Sequence, residues 1–218
     1  YVVGDADEIR VVVNGDLGSQ SVTLHIPQED IQTLYEESAL CRVRHFTGKV
    51  MIAHPHLWNG LKDPFLYTAT ADLKKNGEVI DEVTTKFGCR SYFFDPERGF
   101  FLNGENYPLR GVSRHQDRLG VGNALTKEMH EEDMELILSV GANSIRLAHY
   151  QHDQYFYDLC DEKGIVAWAE IPYITVHMEG GRENTISQMK ELIVQNYNHT
   201  SIICWAISNE ISLQGVTE

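Results

Sequence analysis

The sequence lacks any uninterrupted apolar run of about 18 residues, the length that a membrane-spanning helix needs. Basic residues are also few: 18 Lys and Arg stand against 32 Asp and Glu, so the formal net charge is −14. A surface this acidic repels the phosphate backbones of nucleic acids. We therefore expect neither a membrane nor a nucleic acid among the partners of this chain.

Cysteine is scarce and scattered. No Cys-x-x-Cys or His-rich spacing links Cys41, Cys89, Cys160 and Cys204, and zinc sites ordinarily show such spacing. Cys160 and Cys204 lie inside apolar stretches, where a free cysteine packs like a small hydrophobic residue. The pattern predicts buried free thiols rather than a zinc site.

The remaining composition is that of a packed protein, with 42% hydrophobic and 23% charged residues. This balance excludes wholesale disorder. A length of 218 residues suits one large domain or two small ones. The two halves of the chain differ in their hydrophobic pattern, which favours two domains.

Residues 1–95 contain short stretches in which apolar and polar residues alternate, as they do in half-buried β-strands. Turn residues separate these stretches, and Asn76-Gly77 has the composition of a two-residue hairpin turn. Strands this short and this closely spaced predict an antiparallel β-sandwich of immunoglobulin-like size. The predicted strands are Glu8–Val13, Ser21–Ile26, Leu40–Arg44, Lys49–Ala53, Tyr67–Leu73 and Val79–Phe87.

From about residue 100 onwards, strand-like and helix-like segments alternate. The predicted strands are Tyr107–His115, Asn143–His149, Ile165–Ile171 and Ser201–Ser208. The helices between them are predicted to begin at Thr126, at Asp153 and at a Thr185–Gln188 capping box, and Gly141 and Gly164 end the first two. Such a succession of β-α units predicts a parallel sheet.

Polar and ionisable side chains stand at the end of each of these four strands. The carboxyl ends of parallel strands meet at one edge of a sheet, where the catalytic groups of such folds collect. The side chains in question are His115, Arg146, His149, Glu170, Asn209 and Glu210. We therefore expect a shared functional cleft at this edge.

Two interpretations fit Glu210, which follows a nearly all-apolar strand. It either caps the next helix or pairs with an arginine, or it is a general acid with a second carboxylate nearby. Glycoside hydrolysis needs such a pair of carboxyl groups. Asn209 is suited to donate a hydrogen bond to a sugar hydroxyl.

The other polar strand ends also allow more than one reading. His115 and His149 are either core histidines that bond backbone carbonyls or contacts for substrate hydroxyls, and their shared edge favours the second. A buried Arg146 requires a carboxylate partner. That partner is Glu170, Glu210 or a residue outside this chain.

Five motifs in the second half resemble glycoside hydrolase family 2, and within it the β-galactosidases. They are Gly111–His115, Ile145–Tyr150, Phe156–Gly164, Asn198–Ile202 and Trp205–Glu210. Upstream, Leu57-Trp58, Asp63–Tyr67 and Phe87–Arg90 resemble the immunoglobulin-like domain that precedes the barrel in that family. The resemblance implies an immunoglobulin-like β-sandwich over residues 1–95 and the first half of a (β/α)8 TIM barrel, about four β-α units, over residues 96–218.

The resemblance also implies a role for each site residue. Glu210 would be the acid/base of a retaining hydrolase of terminal β-D-galactosides, and Asn209 would bond the sugar 2-hydroxyl. His115 and His149 would hold other sugar hydroxyls, and Arg146 would orient the nucleophile. That nucleophile is a Glu on a later barrel strand, so we expect it beyond residue 218 and expect the isolated chain to be inactive.

The same resemblance bears on cofactors and partners. Some β-galactosidases bind magnesium after the third strand, but Ile174 stands where the carboxylate ligand is expected, and magnesium requires oxygen ligands. We expect no metal and no cofactor, and a β-galactoside as the substrate. The strand edges of half a barrel invite pairing between copies, which predicts a homo-oligomer.

Two alternatives stay open at this point. One is a β-glucuronidase of the same family, towards which the run Glu170-Ile171-Pro172 points. The other is a non-catalytic carbohydrate-binding or complementing module, which would share the histidines but need no competent Glu210.

Overall fold

The computed structural model describes residues 2–3, 6–25, 43–44 and 47–211. They form two compact units. The first consists of the described parts of Tyr1–His56 together with Tyr67–Phe87, and the second of Leu57–Leu66 with the described part of Gly88–Glu218. Among these residues, no helix has the length and apolar character needed to span a membrane.

The first unit is built from antiparallel β-strands. They are β1 (Val2–Val3), β2 (Glu8–Gly15), β3 (Gly18–His25), β4 (Val43–Arg44), β5 (Tyr67–Lys75) and β6 (Glu78–Phe87). One sheet has the order β3-β2-β5-β6, and β1 pairs with β4 in a second. Asn76 and Gly77 connect β5 to β6 with φ values of 51° and 82°, as a two-residue hairpin turn requires.

Most of the strands predicted for this unit are confirmed, with β2, β3, β5 and β6 at the expected places. The strand predicted over Lys49–Ala53 is wrong, because these residues pair with no strand in the described part of the chain. An alternating run becomes a strand only where a neighbour supplies backbone partners. Of the strand predicted over Leu40–Arg44, only Val43–Arg44 is described, as β4, and the rest lies outside the described residues.

The second unit begins with a small antiparallel sheet of β7 (Tyr92–Asp95), β8 (Gly99–Leu102) and β9 (Glu105–Asn106). Trp58 is completely buried beside Phe100 and Leu102, and its indole Nε1 donates to the backbone oxygen of Asp161 at 2.8 Å. This bond satisfies the one polar atom of a large buried side chain. The Leu57–Leu66 segment is thereby anchored within this unit.

A parallel sheet of four strands follows, in the order of the chain. Its strands are β10 (Gly111–Arg114), β11 (Ser144–Leu147), β12 (Val166–Glu170) and β13 (Ile202–Ala206), joined by helices α1 (Lys127–Ser139), α2 (Gln154–Lys163) and α3 (Arg182–Asn196). The main core lies between these strands and helices and includes Met134, Leu147, Phe156, Ile165 and Leu192. This is the arrangement expected for the first half of a (β/α)8 barrel.

The first two helices begin and end as the sequence predicts. Thr126 and Asp153 cap α1 and α2 by accepting hydrogen bonds from backbone N–H groups in the first turn. Gly164 ends α2 with a φ of 77°, and a β-carbon there would lie 2.2 Å from the backbone oxygen of Gly60. Glycine is therefore required at position 164 both for its conformation and for its lack of a side chain.

Two predictions of element bounds are wrong. Helix α3 begins at Arg182 after Gly181, so the capping box at Thr185–Gln188 does not form, and the Thr185 hydroxyl donates instead to the Gly181 oxygen at 2.9 Å. The chain has already turned at Gly181, whose N–H donates to the Met178 oxygen at 3.0 Å. The strand predicted over Tyr107–His115 shrinks to β10, because Tyr107 packs against Phe100 instead.

The described cysteines are free thiols. Cys160 is fully buried, as predicted, and burial raises the pKa of its thiol. Cys204 is only half-buried, because the strand that carries it is less completely covered than its apolar sequence predicts. Cys41 lies outside the described residues.

Candidate active site

Three strand ends contribute to one hydrogen-bonded cluster at the carboxyl edge of the parallel sheet. Its members are Arg146 at the end of β11, His149 just beyond it, Glu170 at the end of β12 and Asn209 after β13. The structure therefore brings together four of the six side chains that the sequence places at this edge. We call this set the Arg146 cluster.

Glu170 is the buried acceptor of the Arg146 cluster, with 2% of its side chain exposed. Its Oε1 accepts from Arg146 Nε, and its Oε2 lies 3.2 Å from Arg146 Nη2 and 3.0 Å from His149 Nδ1. A buried carboxylate is costly unless it is paired and hydrogen-bonded, and this two-pronged contact does both. Among the three partners considered for Arg146, the structure selects Glu170.

Asn209 is held by both its side chain and its backbone. Arg146 Nη2 donates to Asn209 Oδ1 at 2.7 Å. The backbone N–H of Asn209 donates to the Tyr173 oxygen, and its carbonyl accepts from the Thr175 N–H, each at 2.9 Å. Two backbone hydrogen bonds from the loop after β12 therefore fix the position of Asn209.

His115 joins this edge through a ring contact. Its imidazole is exposed and lies edge-to-face with that of His149, with ring centroids 5.0 Å apart. The neighbouring Gln116 donates its backbone N–H to the Tyr150 hydroxyl at 3.0 Å. This bond ties the loop after β10 to the loop after β11, so the two histidines lie side by side at this edge of the sheet.

Glu210 directly follows Asn209, and its side chain is exposed. Its φ of 53° lies in the left-handed region, which costs a non-glycine residue roughly 1–2 kcal/mol. Conformations of this kind are concentrated at functional sites. Among the described residues, no hydrogen bond or ion pair links Glu210 to the Arg146 cluster, so its acid/base role stays a prediction.

Sequence reasoning missed a second network, which lies behind β10 and is centred on Arg114. Its guanidinium bonds Asp133 Oδ2 at 2.7 Å and the Nδ1 atoms of His130 and His152 at 3.0 Å, and it stacks over the Phe156 ring at 3.8 Å. Spacing along the chain does not predict this set, because its members come from β10, α1, the loop before α2 and α2 itself. The one signal in the sequence was that Arg114 directly precedes His115, a predicted site residue.

His152 is almost completely buried. Burial lowers the pKa of its ring to about 4, and the positive charge of Arg114 acts in the same direction. The ring Nε2 lies 3.1 Å from the backbone oxygen of Ala148, the residue before His149. His152 is therefore a neutral ring that supports the chain next to the site.

The loop after β12 offers little to a metal ion. The side chain of Ile174 is exposed and has no oxygen, and His177 Nδ1 is bonded to the Tyr173 hydroxyl at 2.5 Å. Within the residues that the structure describes, no three His, Cys, Asp or Glu side chains are arranged as metal ligands.

Comparison with known proteins identifies both parts of the chain. The family described as "Glycosyl hydrolases family 2, TIM barrel domain" matches residues 96–216, and "Glycosyl hydrolases family 2" matches residues 6–90. A β-glucuronidase of Bacteroides fragilis is 49% identical over 76% of this chain. A β-galactosidase of Thermoanaerobacterium thermosulfurigenes is 34% identical over 69% of it.

A solved structure agrees with these relatives. The β-glucuronidase of Parabacteroides merdae superposes with a TM-score of 0.81 at 31% identity, over 95% of this chain and 26% of its own. The chain likewise spans 25% and 21% of the lengths of the two relatives above. The fold is an immunoglobulin-like domain followed by part of a TIM barrel, and the chain belongs to glycosyl hydrolase family 2.

Proposed function

We propose that this chain supplies the acid/base side of a retaining β-glycosidase active site. The observation that supports this most directly is the Arg146 cluster, which holds Asn209 at the strand edge immediately before the exposed Glu210. The relatives are about three times as long as this chain, so the activity is assigned to a longer protein that contains it. The nucleophilic carboxylate would come from the rest of that protein.

In this mechanism Glu210 protonates the oxygen of the leaving group while the nucleophile attacks the sugar. It then removes a proton from the water that hydrolyses the glycosyl-enzyme intermediate. Retention requires the two carboxyl groups to lie about 5–5.5 Å apart. An exposed Glu210 at the edge of the sheet, with Asn209 held beside it, is suited to reach a glycosidic oxygen.

For the substrate we propose β-glucuronides first, because the 49% identical relative is a β-glucuronidase. β-Galactosides are the second candidate, and the motif resemblance and the 34% identical β-galactosidase support them. Assaying the complete enzyme with aryl β-glucuronides and aryl β-galactosides that carry the same leaving group separates the two. Comparable kcat/KM values for both sugars would contradict a glucuronide preference.

The role of Glu210 is tested by varying the leaving group in the complete enzyme. Glu210→Gln removes the acid, so kcat/KM for a poor leaving group should fall by roughly 10²–10⁴-fold, and a phenol that leaves without protonation should lose much less. Glu191→Gln, an exposed change on α3, is the matched control. Equal losses for good and poor leaving groups would show that Glu210 is not the acid.

The same variant separates this proposal from a non-catalytic carbohydrate-binding module. Such a module would retain its affinity for sugars after Glu210→Gln and would show no turnover before it. Turnover by the complete enzyme that depends on Glu210 excludes the binding module.

A further inference from the structure

We propose that Arg146 and Glu170 are positioning residues that fix the hydrogen-bonding polarity of their two neighbours, His149 and Asn209, at the carboxyl edge of the parallel sheet. His149 then presents its Nε2 as an acceptor, and Asn209 presents its amide N–H groups as donors. The proposal rests on two contacts. The guanidinium of Arg146 bonds the side-chain amide of Asn209, and the buried carboxylate of Glu170 bonds the imidazole of His149. The role towards a sugar rests on the proposed function, but the polarity itself does not.

The first step concerns Asn209. A guanidinium has only donors, so the atom of the Asn209 side chain at 2.7 Å from Arg146 Nη2 is the oxygen. The amide nitrogen is therefore turned away from Arg146. Because the backbone of Asn209 is clamped by Tyr173 and Thr175, the amide cannot reverse its direction without breaking the bond to Arg146.

The second step concerns the hydrogens of Arg146 Nη2, of which there are two. Its contacts at 2.7 Å to Asn209 Oδ1 and at 3.2 Å to Glu170 Oε2 use both of them. The Nη2 atom also lies 3.3 Å from His149 Nδ1, but no hydrogen is left for that contact. His149 Nδ1 is therefore not an acceptor for Arg146.

The third step assigns the proton of the His149 ring. Its Nδ1 lies 3.0 Å from Glu170 Oε2, which has no proton to donate as a carboxylate. An unprotonated Nδ1 would set two lone pairs against each other beside a buried negative charge. Nδ1 therefore carries the hydrogen, and when the ring holds a single proton its lone pair lies on Nε2, on the other side of the ring.

His152 shows the opposite arrangement and serves as an internal reference. Arg114 Nη1 donates to its Nδ1 at 3.0 Å, so this ring carries its hydrogen on Nε2, which donates to the Ala148 oxygen at 3.1 Å. Two histidines only a few residues apart are thus held in opposite tautomers. A substrate with two hydroxyls could donate a hydrogen bond from one hydroxyl to His149 Nε2. Its other hydroxyl could accept a hydrogen bond from the Asn209 amide.

The test is a long-range ¹⁵N–¹H correlation spectrum of the histidine rings in the unliganded 218-residue chain. It is recorded in alkaline buffer, where imidazole side chains are ordinarily neutral, and His149→Asn identifies the signals of His149. We expect the Nδ1–H tautomer at His149 and the Nε2–H tautomer at His152. An Nε2–H tautomer at His149 overturns the proposal.

Glu170→Gln tests the cause. The new amide should keep its oxygen on Arg146 Nε and turn its NH2 towards His149, which should shift to the Nε2–H tautomer while His152 stays unchanged. Glu191→Gln is the matched control and should change neither ring. A folded Glu170→Gln chain with an unshifted His149 would also overturn the proposal.

The Asn209 side is tested in the complete enzyme by Asn209→Asp, which keeps an acceptor for Arg146 but has no N–H to donate. We expect unchanged folding and a kcat/KM lower by roughly 10–100-fold, the usual effect of one lost polar contact in a site. Unchanged kcat/KM would overturn the donor role. The tautomers are measured without substrate, so they test the polarity independently of the proposed function. If only the proposed function is wrong, the tautomers will be as expected but the complete enzyme will show no turnover.

Discussion

The buried ring of His152 should make the second unit sensitive to acid. Its pKa is about 4 in the folded protein, mainly through burial, against about 6.5 for an exposed ring. Between these values the unfolded chain binds a proton that the folded chain does not. His152 therefore lowers the free energy of unfolding progressively as pH falls from 6.5 to 4. Above pH 6.5 it has no such effect.

The size of the effect follows from the shift. One pKa unit corresponds to about 1.36 kcal/mol, so the shift of His152 corresponds to about 3 kcal/mol. His130 contributes in the same direction, because burial and the charge of Arg114 lower its pKa as well. Comparing the wild type with His152→Gln, which cannot titrate, cancels these shared contributions.

The assay is urea denaturation followed by tryptophan fluorescence at pH 7.5, 6.5, 5.5 and 4.5. All three tryptophans lie in the second unit, at positions 58, 168 and 205, so the signal reports that unit alone. The stability advantage of the wild type over His152→Gln should shrink by about 1 kcal/mol per pH unit below 6.5 and stay constant above it. A difference that does not change with pH would refute the reasoning.

Three further changes should alter stability through the backbone or the core. Glu210→Gly should be more stable than Glu210→Ala by about 1 kcal/mol, because only glycine adopts a φ of 53° without strain. Gly164→Ala should cost about 1–3 kcal/mol more than Gly120→Ala, since both glycines have positive φ but only position 164 meets another backbone. Trp58→Phe should cost about 1–3 kcal/mol by leaving a buried carbonyl unpaired, and Trp168→Phe, with 44% of the residue exposed, much less.

Each of these three comparisons is measured as a difference in urea midpoints at neutral pH. Equal stability of the glycine and alanine variants at 210 would argue against the left-handed conformation there. Equal losses of stability at positions 164 and 120 would contradict the steric argument. Equal losses at positions 58 and 168 would contradict the hydrogen-bonding argument.

Local signals were sufficient for much of the fold. The hairpin at Asn76-Gly77 and the helix ends at Thr126, Asp153 and Gly164 depend on residues within one turn of each other, so their chemistry can be read along the chain. The meeting of Arg146 and Asn209 was also foreseeable, because parallel strands end at the same edge of a sheet.

Contacts between distant segments could be known only from the folded chain. Arg146 had three possible carboxylates and took Glu170 because β11 and β12 are neighbours in register. Lys49–Ala53 has the alternation of a strand but no partner strand in the described part of the chain, and Arg114 lies against helices that no local pattern assigns to it. Backbone pairing and buried charge pairing both need atoms from elsewhere in the chain, so a residue's own neighbours in sequence do not determine them.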